Sequence, residues 1–299
     1  MNGYDTNFGR RTADVARLKV KGDKASLPVR DLPLHYQPKI ALASGRITGV
    51  EVFACEKDLS PAQQRPSFSV SQVELPTSTI GSGCRMLQQA CAQLRSWRLR
   101  GLRIPGISIN LTPMELHSRG FTDEVEAVLR GLGLAPHMLT LEIAEELAME
   151  DSHRALQLHE LAELGVRISL DDFGTGFVSL RHLRQLPIEE VKIDRRFIAD
   201  MGASAQSADI VAALIAIARA CRIISVATGV ETIAQQAQLA ELGCDEIQGS
   251  VISPGLVPDE LERVAWSLTE QADRMDTAWE ISRDMITRKS RFQSNIETE

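Results

Sequence analysis

Nine polar residues stand at or near the ends of short apolar runs in this chain of 299 residues. Glu51 lies within ITGVEVFA, Asn110 closes ISIN, Glu142 lies within LTLEI, and Asp171 and Asp172 close RISL. Lys192 and Asp194 lie in VKID, Glu231 closes SVATGVE, and Gln248 follows DEI. A charged side chain interrupting a buried strand costs several kcal/mol unless it is paired or bound to metal. Oxygen-rich sets of this kind suit Mg²⁺, Mn²⁺ or Ca²⁺ rather than zinc. Any one acid at a strand end is more often an N-cap for the next helix than a ligand; it is the set that points to a metal. Asp171 and Asp172 run into Phe173-Gly174-Thr175-Gly176, a loop whose glycines allow close backbone approach, and adjacent carboxylates can each face a different ion. Lys192 supplies a cation for a phosphate or an activated water, or else an ion pair that balances Asp194 or a neighbouring acid.

Those residues need a frame that brings strand ends together. From Leu34 onward, short β-rich runs alternate with longer amphipathic ones: LHYQPKIAL, ITGVEVFA, a helical pattern over 84–98, GISINLT, a helix over 121–131, MLTLEIAE, a helix over 153–164, RISLDDFG and a helix over 177–185. The pattern continues through VKIDRRFI, a helix over 207–220, IISVATGVE, a helix over 232–241, EIQGSVIS and a helix from Pro258. Strand-then-helix units repeated in this way predict a parallel α/β barrel of the (β/α)₈ type, whose functional groups gather at the C-terminal ends of the strands. The first two runs are joined only by a Ser44-Gly45 turn, which predicts one antiparallel pair. The expected organisation is a polar N-terminal tail over 1–30, the barrel over 31–270 and a C-terminal helical extension over 271–299. About 30 residues ahead of the barrel are too few for a sensor domain. The extension is rich in helix formers, and packs on another subunit or lies in solvent.

The composition, 43% hydrophobic and 24% charged, is that of a globular chain with enough apolar material for a full core. No run approaches the ~18 apolar residues that cross a bilayer, and no apolar stretch follows Arg10-Arg11, so no membrane partner, secretory signal or twin-arginine signal is expected; the expected location is the cytoplasm. A formal charge of −7 argues against general nucleic-acid binding, which needs a basic footprint. The five cysteines are widely spread, with no zinc-type spacing, and read as free, mostly buried thiols.

SLDDFGTGFVSLRHLRQLPIEEVKIDRRFI, with SINLTPMEL and LTLEIAEE before it and VATGVETIAQQAQLAELGCDEIQG after it, resembles the EAL domain of bacterial cyclic di-GMP phosphodiesterases over about residues 34–270. The resemblance implies a (β/α)₈ barrel with one antiparallel strand and hydrolysis of cyclic di-GMP to pGpG by two metal ions, Mg²⁺ or Mn²⁺. It assigns one metal to Glu51, Asn110, Glu142 and Asp171, and a second to Asp171, Asp172 and a glutamate in a V-A-E-G-V-E-T segment. Lys192 and Glu231 take catalytic places, Glu145 braces the DDFGTG loop, and Gln248 and Asp194 fall to the substrate side. A homodimer is common among such proteins.

The chain departs from that pattern at defined points. The V-A-E-G-V-E-T segment reads Val226-Ala227-Thr228-Gly229-Val230-Glu231-Thr232, so a neutral hydroxyl stands where the second metal expects a carboxylate. The signature triplet reads Glu51-Val52-Phe53, and the arginine that meets substrate phosphate in the family is Cys55. The segment after it, 57–83, lacks an alignable P-x-x-F motif; the position after Gln-Gly is Ser250, and the following S-R-P reads Ser253-Pro254-Gly255. Two readings follow. In the first, a degenerate regulatory EAL protein keeps one metal site and binds the nucleotide or a protein partner, with weak or no hydrolysis. In the second, a metal-dependent phosphodiesterase turns over cyclic di-GMP with another group in place of Thr228.

Overall fold

The computed structural model describes residues 34–54, 82–145, 152–176, 180–202, 204–274 and 277. All of them belong to one unit, Leu32–Glu299. Eight strands close into a barrel in chain order: β1 Leu34–Ala41, β2 Ile47–Ala54, β3 Ile107–Asn110, β4 Leu139–Ala144, β5 Arg167–Phe173, β6 Glu190–Ile193, β7 Ile224–Thr228 and β8 Glu246–Gln248. β1 runs antiparallel to both β2 and β8, while every other neighbouring pair is parallel. The short Ser44-Gly45 connection leaves no room for a crossover helix, and antiparallel pairing is what such a turn permits.

The helices are α1 Ser82–Leu99, α2 Pro113–His117, α3 Phe121–Leu132, α4 Ser152–Leu164, α5 Leu180–Gln185, α6 Arg195–Asp200, α7 Ala205–Cys221, α8 Ile233–Leu242 and α9 over 258–274. The short helices α2 and α6 have no counterpart in the hydrophobic pattern. Each forms because a cap nucleates it directly behind a strand. Thr112 and Glu115 make a reciprocal capping box at α2, and Asp194 accepts from the Arg196 N–H at α6. The expected boundary at residue 270 falls inside α9, and the expected N-terminal tail lies outside the described residues.

Between the strands and the helices lies an ordinary apolar core. α1 shows how it is built: Met86, Leu87, Ala90, Cys91, Leu94 and Trp97 recur at helical spacing and are all buried, and the Trp97 ring meets Tyr36 of β1 edge-on at 4.9 Å. Cys91 and Cys244 are buried free thiols and Cys221 is half-buried; burial pushes the Cys91 thiol up to about 12 and the Cys244 thiol up to about 11. Cys55 lies outside the described residues. Among the described residues no helix is long and apolar enough to cross a membrane.

Inside the barrel the pattern reverses. Successive residues of a strand face opposite sides, and the inward side carries Gln37 and Lys39 of β1, Glu51 of β2, Ser108 and Asn110 of β3, Thr140 and Glu142 of β4, Ser169 and Asp171 of β5, Glu190 and Lys192 of β6, and Glu246 and Gln248 of β8. These polar groups form two layers, one at the C-terminal mouth and one beneath it.

Candidate active site

Lys192 is the hub of the upper layer. Its ammonium nitrogen, with the side chain 4% exposed, donates to Glu142 Oε2 at 2.6 Å and Glu51 Oε2 at 3.0 Å, and lies 3.5 Å from Asp171 Oδ1. Burial would depress this amine, but the three carboxylates outweigh it and hold it well above its usual range. Glu51 also accepts from Asn110 Nδ2 at 3.2 Å and Gln248 Nε2 at 2.7 Å. Burial pushes its carboxyl upward, yet Lys192 and these amide donors carry it below the usual carboxylate range.

One ammonium offsets only part of the charge of three buried acids. Burial, followed by the Glu51 charge, pushes Glu142 up to about 8, and burial also raises Asp171. The second oxygen of Glu142 is buried and has no hydrogen-bond partner among the described residues, as suits an oxygen that ligates a cation or meets a proton donor. The donor set is all oxygen, from two glutamates, an aspartate and an amide, and suits a hard divalent ion. The carboxylates surround Lys192 rather than an open cage: among the described residues no three His, Cys, Asp or Glu side chains are already arranged around an ion position.

Asp172 starts a second cluster. Its backbone is in the left-handed region, φ 56°, a conformation Asp tolerates better than most residues. Burial, then the Asp171 charge and a shared hydrogen bond with Asp194, raise its carboxyl to about 7. Asp194 moves the other way. Burial raises it, but the Arg196 side chain and backbone, with Nε at 2.9 Å and N at 2.7 Å from Oδ1, lower it. The two carboxyls are thus pushed in opposite directions and titrate as a pair.

The loop behind Asp172 is held from below. Glu145, 3% exposed, accepts the backbone N–H groups of Gly174, Thr175 and Gly176 through one oxygen at 3.0, 3.2 and 3.0 Å, an anion in a nest of amides. At the end of β7 the Thr228 hydroxyl donates to the Ile193 carbonyl at 2.8 Å, so its proton is committed to the neighbouring strand. Glu231 is exposed, just ahead of the α8 capping box of Thr232 and Gln235, and its side chain enters none of the bonds that join the clusters. After Gln248 the chain turns through Gly249, where a Cβ would come within 2.1 Å of the Val230 carbonyl oxygen, so only glycine fits. Ser250 is exposed, Ser253 is buried and donates its hydroxyl to Pro254 O.

Gln37 belongs to the upper layer although no apolar run ends on it. Its carbonyl oxygen accepts from Gln248 Nε2 at 3.1 Å, and its own amide donates to Ser253 O at 3.0 Å. The chain Glu51–Gln248–Gln37–Ser253 thus ties the first acid to the loop after β8. A signal for it exists in the sequence: Gln37 and Lys39 are the polar positions of an alternating strand.

The EAL domain profile matches residues 25–255. The bifunctional diguanylate cyclase/cyclic di-GMP phosphodiesterase MucR of Pseudomonas aeruginosa is 36% identical over 239 residues, 80% of this chain and 35% of that protein. The cyclic di-GMP phosphodiesterase NbdA of the same organism is 37% identical over 223 residues, 74% of this chain and 28% of that protein; the chain thus spans about a third of the length of these relatives. Among solved structures, the PaMucR phosphodiesterase in complex with c-di-GMP superposes with a TM-score of 0.70 at 36% identity, covering 78% of this chain and 94% of that one. The EAL domain of Mycobacterium smegmatis DcpA superposes with a TM-score of 0.67 at 30% identity, covering 79% and 96%. Profile, identity and superposition agree with the acidic barrel mouth built up above: this chain belongs to the EAL domain family.

Proposed function

We propose that this chain is a degenerate, regulatory EAL domain that binds cyclic di-GMP, or a protein partner, and hydrolyses the nucleotide weakly or not at all. The observation that carries the reading is Thr228. At the end of β7 it offers a neutral oxygen whose proton is bonded to Ile193 O, where the family places a carboxylate. Burial, then the Asp171 charge and the hydrogen bond with Asp194, raise the Asp172 carboxyl to about 7. Both facts weaken a second cation position, while Glu51, Asn110, Glu142 and Asp171 keep the donors for a first. A Mg²⁺ or Mn²⁺ ion held by those four residues would polarise a phosphoryl oxygen and acidify a bound water. In this chain Lys192 holds the ligand carboxylates together, Gln248 and Gln37 fix the orientation of Glu51, and Glu145 shapes the loop that follows Asp172.

The retention of Glu51, Glu142, Asp171 and Lys192 in one bonded cluster favours a second reading, a slow phosphodiesterase that hydrolyses cyclic di-GMP to pGpG. Chromatography of cyclic di-GMP incubated with the protein and Mg²⁺ or Mn²⁺ separates the two. The degenerate reading expects intact nucleotide after hours, and turnover near ~1 s⁻¹ overturns it. Thr228→Glu is expected to introduce measurable pGpG formation, since it restores the missing anion without touching the first donor set. Absence of any gain moves the defect to the substrate contacts.

A further inference from the structure

Phe53 of β2 and His35 of β1 are directly paired across the antiparallel ladder, with ring centroids 6.0 Å apart and planes at 44°. By strand alternation they lie on the inward side, one step beyond the Glu51–Gln37 pair and nearer the C-terminal end of the barrel. Both rings are half-buried. Beneath Phe53 runs the loop after β8: a Cβ on Gly255 would come within 2.2 Å of Phe53 Cζ and 3.0 Å of Cε2. That loop is clamped to β1 by paired backbone hydrogen bonds between Tyr36 and Leu256, at 2.8 and 2.9 Å.

Two departures from the family pattern are therefore a single packing event. A phenyl ring replaces the leucine of the signature triplet, and a glycine replaces the proline of S-R-P where a Cβ would collide with that ring. The ring is not absorbed into the core. It stays half-buried at the mouth, where the described residues also carry acids, amides and Lys192, beside a second flat ring and one step beyond the first acid of the site. An aromatic pair so placed is a platform for a planar, electron-rich group, and stacking gives affinity without requiring a charged contact.

We propose that Phe53, with His35, is the stacking platform for a guanine base of cyclic di-GMP, supplying affinity by stacking in a chain whose position 55 carries a thiol rather than a guanidinium; this inference rests on the nucleotide-binding reading above. Calorimetric titration with cyclic di-GMP in Ca²⁺ tests it on the whole chain. Phe53→Leu, which restores the signature residue, is expected to bind about tenfold more weakly while melting within a few degrees of the parent. Gly255→Ala, which displaces the ring without removing it, is expected to weaken binding in the same direction. Phe53→Trp is expected to retain affinity, and its added indole emission should be quenched on titration. Unchanged affinity in Phe53→Leu, or nucleotide binding that leaves the added indole unquenched, overturns the platform and leaves the nucleotide-binding reading intact. Absence of nucleotide uptake by the parent chain overturns that reading and the platform with it, so the two failures are told apart.

Discussion

Lys192 answers three carboxylates with one charge, and the mismatch gives the site a definite pH response. A carboxyl raised by folding stabilises the folded state when protonated, and its contribution is lost as pH climbs through the folded value. Glu142 moves from 4.5 to about 8 and Asp172 from 3.8 to about 7, so their contributions disappear between about pH 5 and pH 8. Glu51 and Asp194, both lowered, act oppositely, but only on acidification below the ordinary carboxylate range. The metal-free protein is therefore expected to lose thermal stability from pH 5 to pH 8. Glu142→Gln, which removes one of the raised carboxyls, should flatten that slope, and Mg²⁺ or Mn²⁺ should restore stability most at the alkaline end, because the ion replaces the departing protons. Scanning calorimetry across the range checks this; a melting temperature that rises with pH in the absence of metal contradicts it.

At the scale of elements, the loop after β5 shows how a catalytic-looking motif is held by something outside it. Glu145 follows β4, yet its single oxygen satisfies three consecutive amides of the Gly174–Gly176 segment. Glu145→Ala leaves those donors without an acceptor, and a loss of about 2 kcal/mol is expected in denaturant unfolding. Hydrogen exchange at residues 174–176 should quicken more than in the β-strands; uniform quickening would mean that Glu145 acts on the whole fold instead. That a glutamate follows LTLEIA is legible in the sequence, as is the strand-helix alternation, because both rest on local patterns. The antiparallel β1–β2 pair is legible for the same reason, through its short turn. Three things are not. The helices α2 and α6 span 5 and 6 residues, too short to establish a period and formed by caps alone. Gln37 acquires its role from pairing with β2 and contact with β8, and its partner Gln248 lies 211 positions away. The fit of Phe53 onto Gly255 joins two loop-adjacent positions with no shared local pattern, so each reads as an isolated departure until the barrel closes.

Over the whole molecule, the polar interior continues below the active layer. Lys39 of the reversed strand β1 pairs with Glu190 of β6 and lies 3.6 Å from Glu246 of β8. Glu190 also accepts from the Ser169 hydroxyl at 3.0 Å and Glu246 from Thr48 at 2.8 Å. Burial raises Glu190, but the Lys39 charge and hydrogen bond bring it below the usual range. Glu246, farther from the ammonium, stays raised by burial. The antiparallel β1 makes this layer what it is: reversing the strand carries its later residues toward the base of the barrel, where they meet the beginnings of β6 and β8. A barrel base of this kind is ordinarily filled by branched apolar side chains, so the ion pair is there by substitution for core. Buried pairs contribute little net stability over an apolar replacement, whereas breaking one strands a charge at a cost of about 3–5 kcal/mol. Lys39→Met alone is accordingly expected to lose about that much in urea unfolding, since Glu190 and Glu246 then remain without their cation. Lys39→Met combined with Glu190→Met should recover most of the loss, giving a double-mutant cycle with strong positive coupling. Additive losses in that cycle would show instead that each residue is held by its own surroundings, and that the lower layer is not a single electrostatic unit.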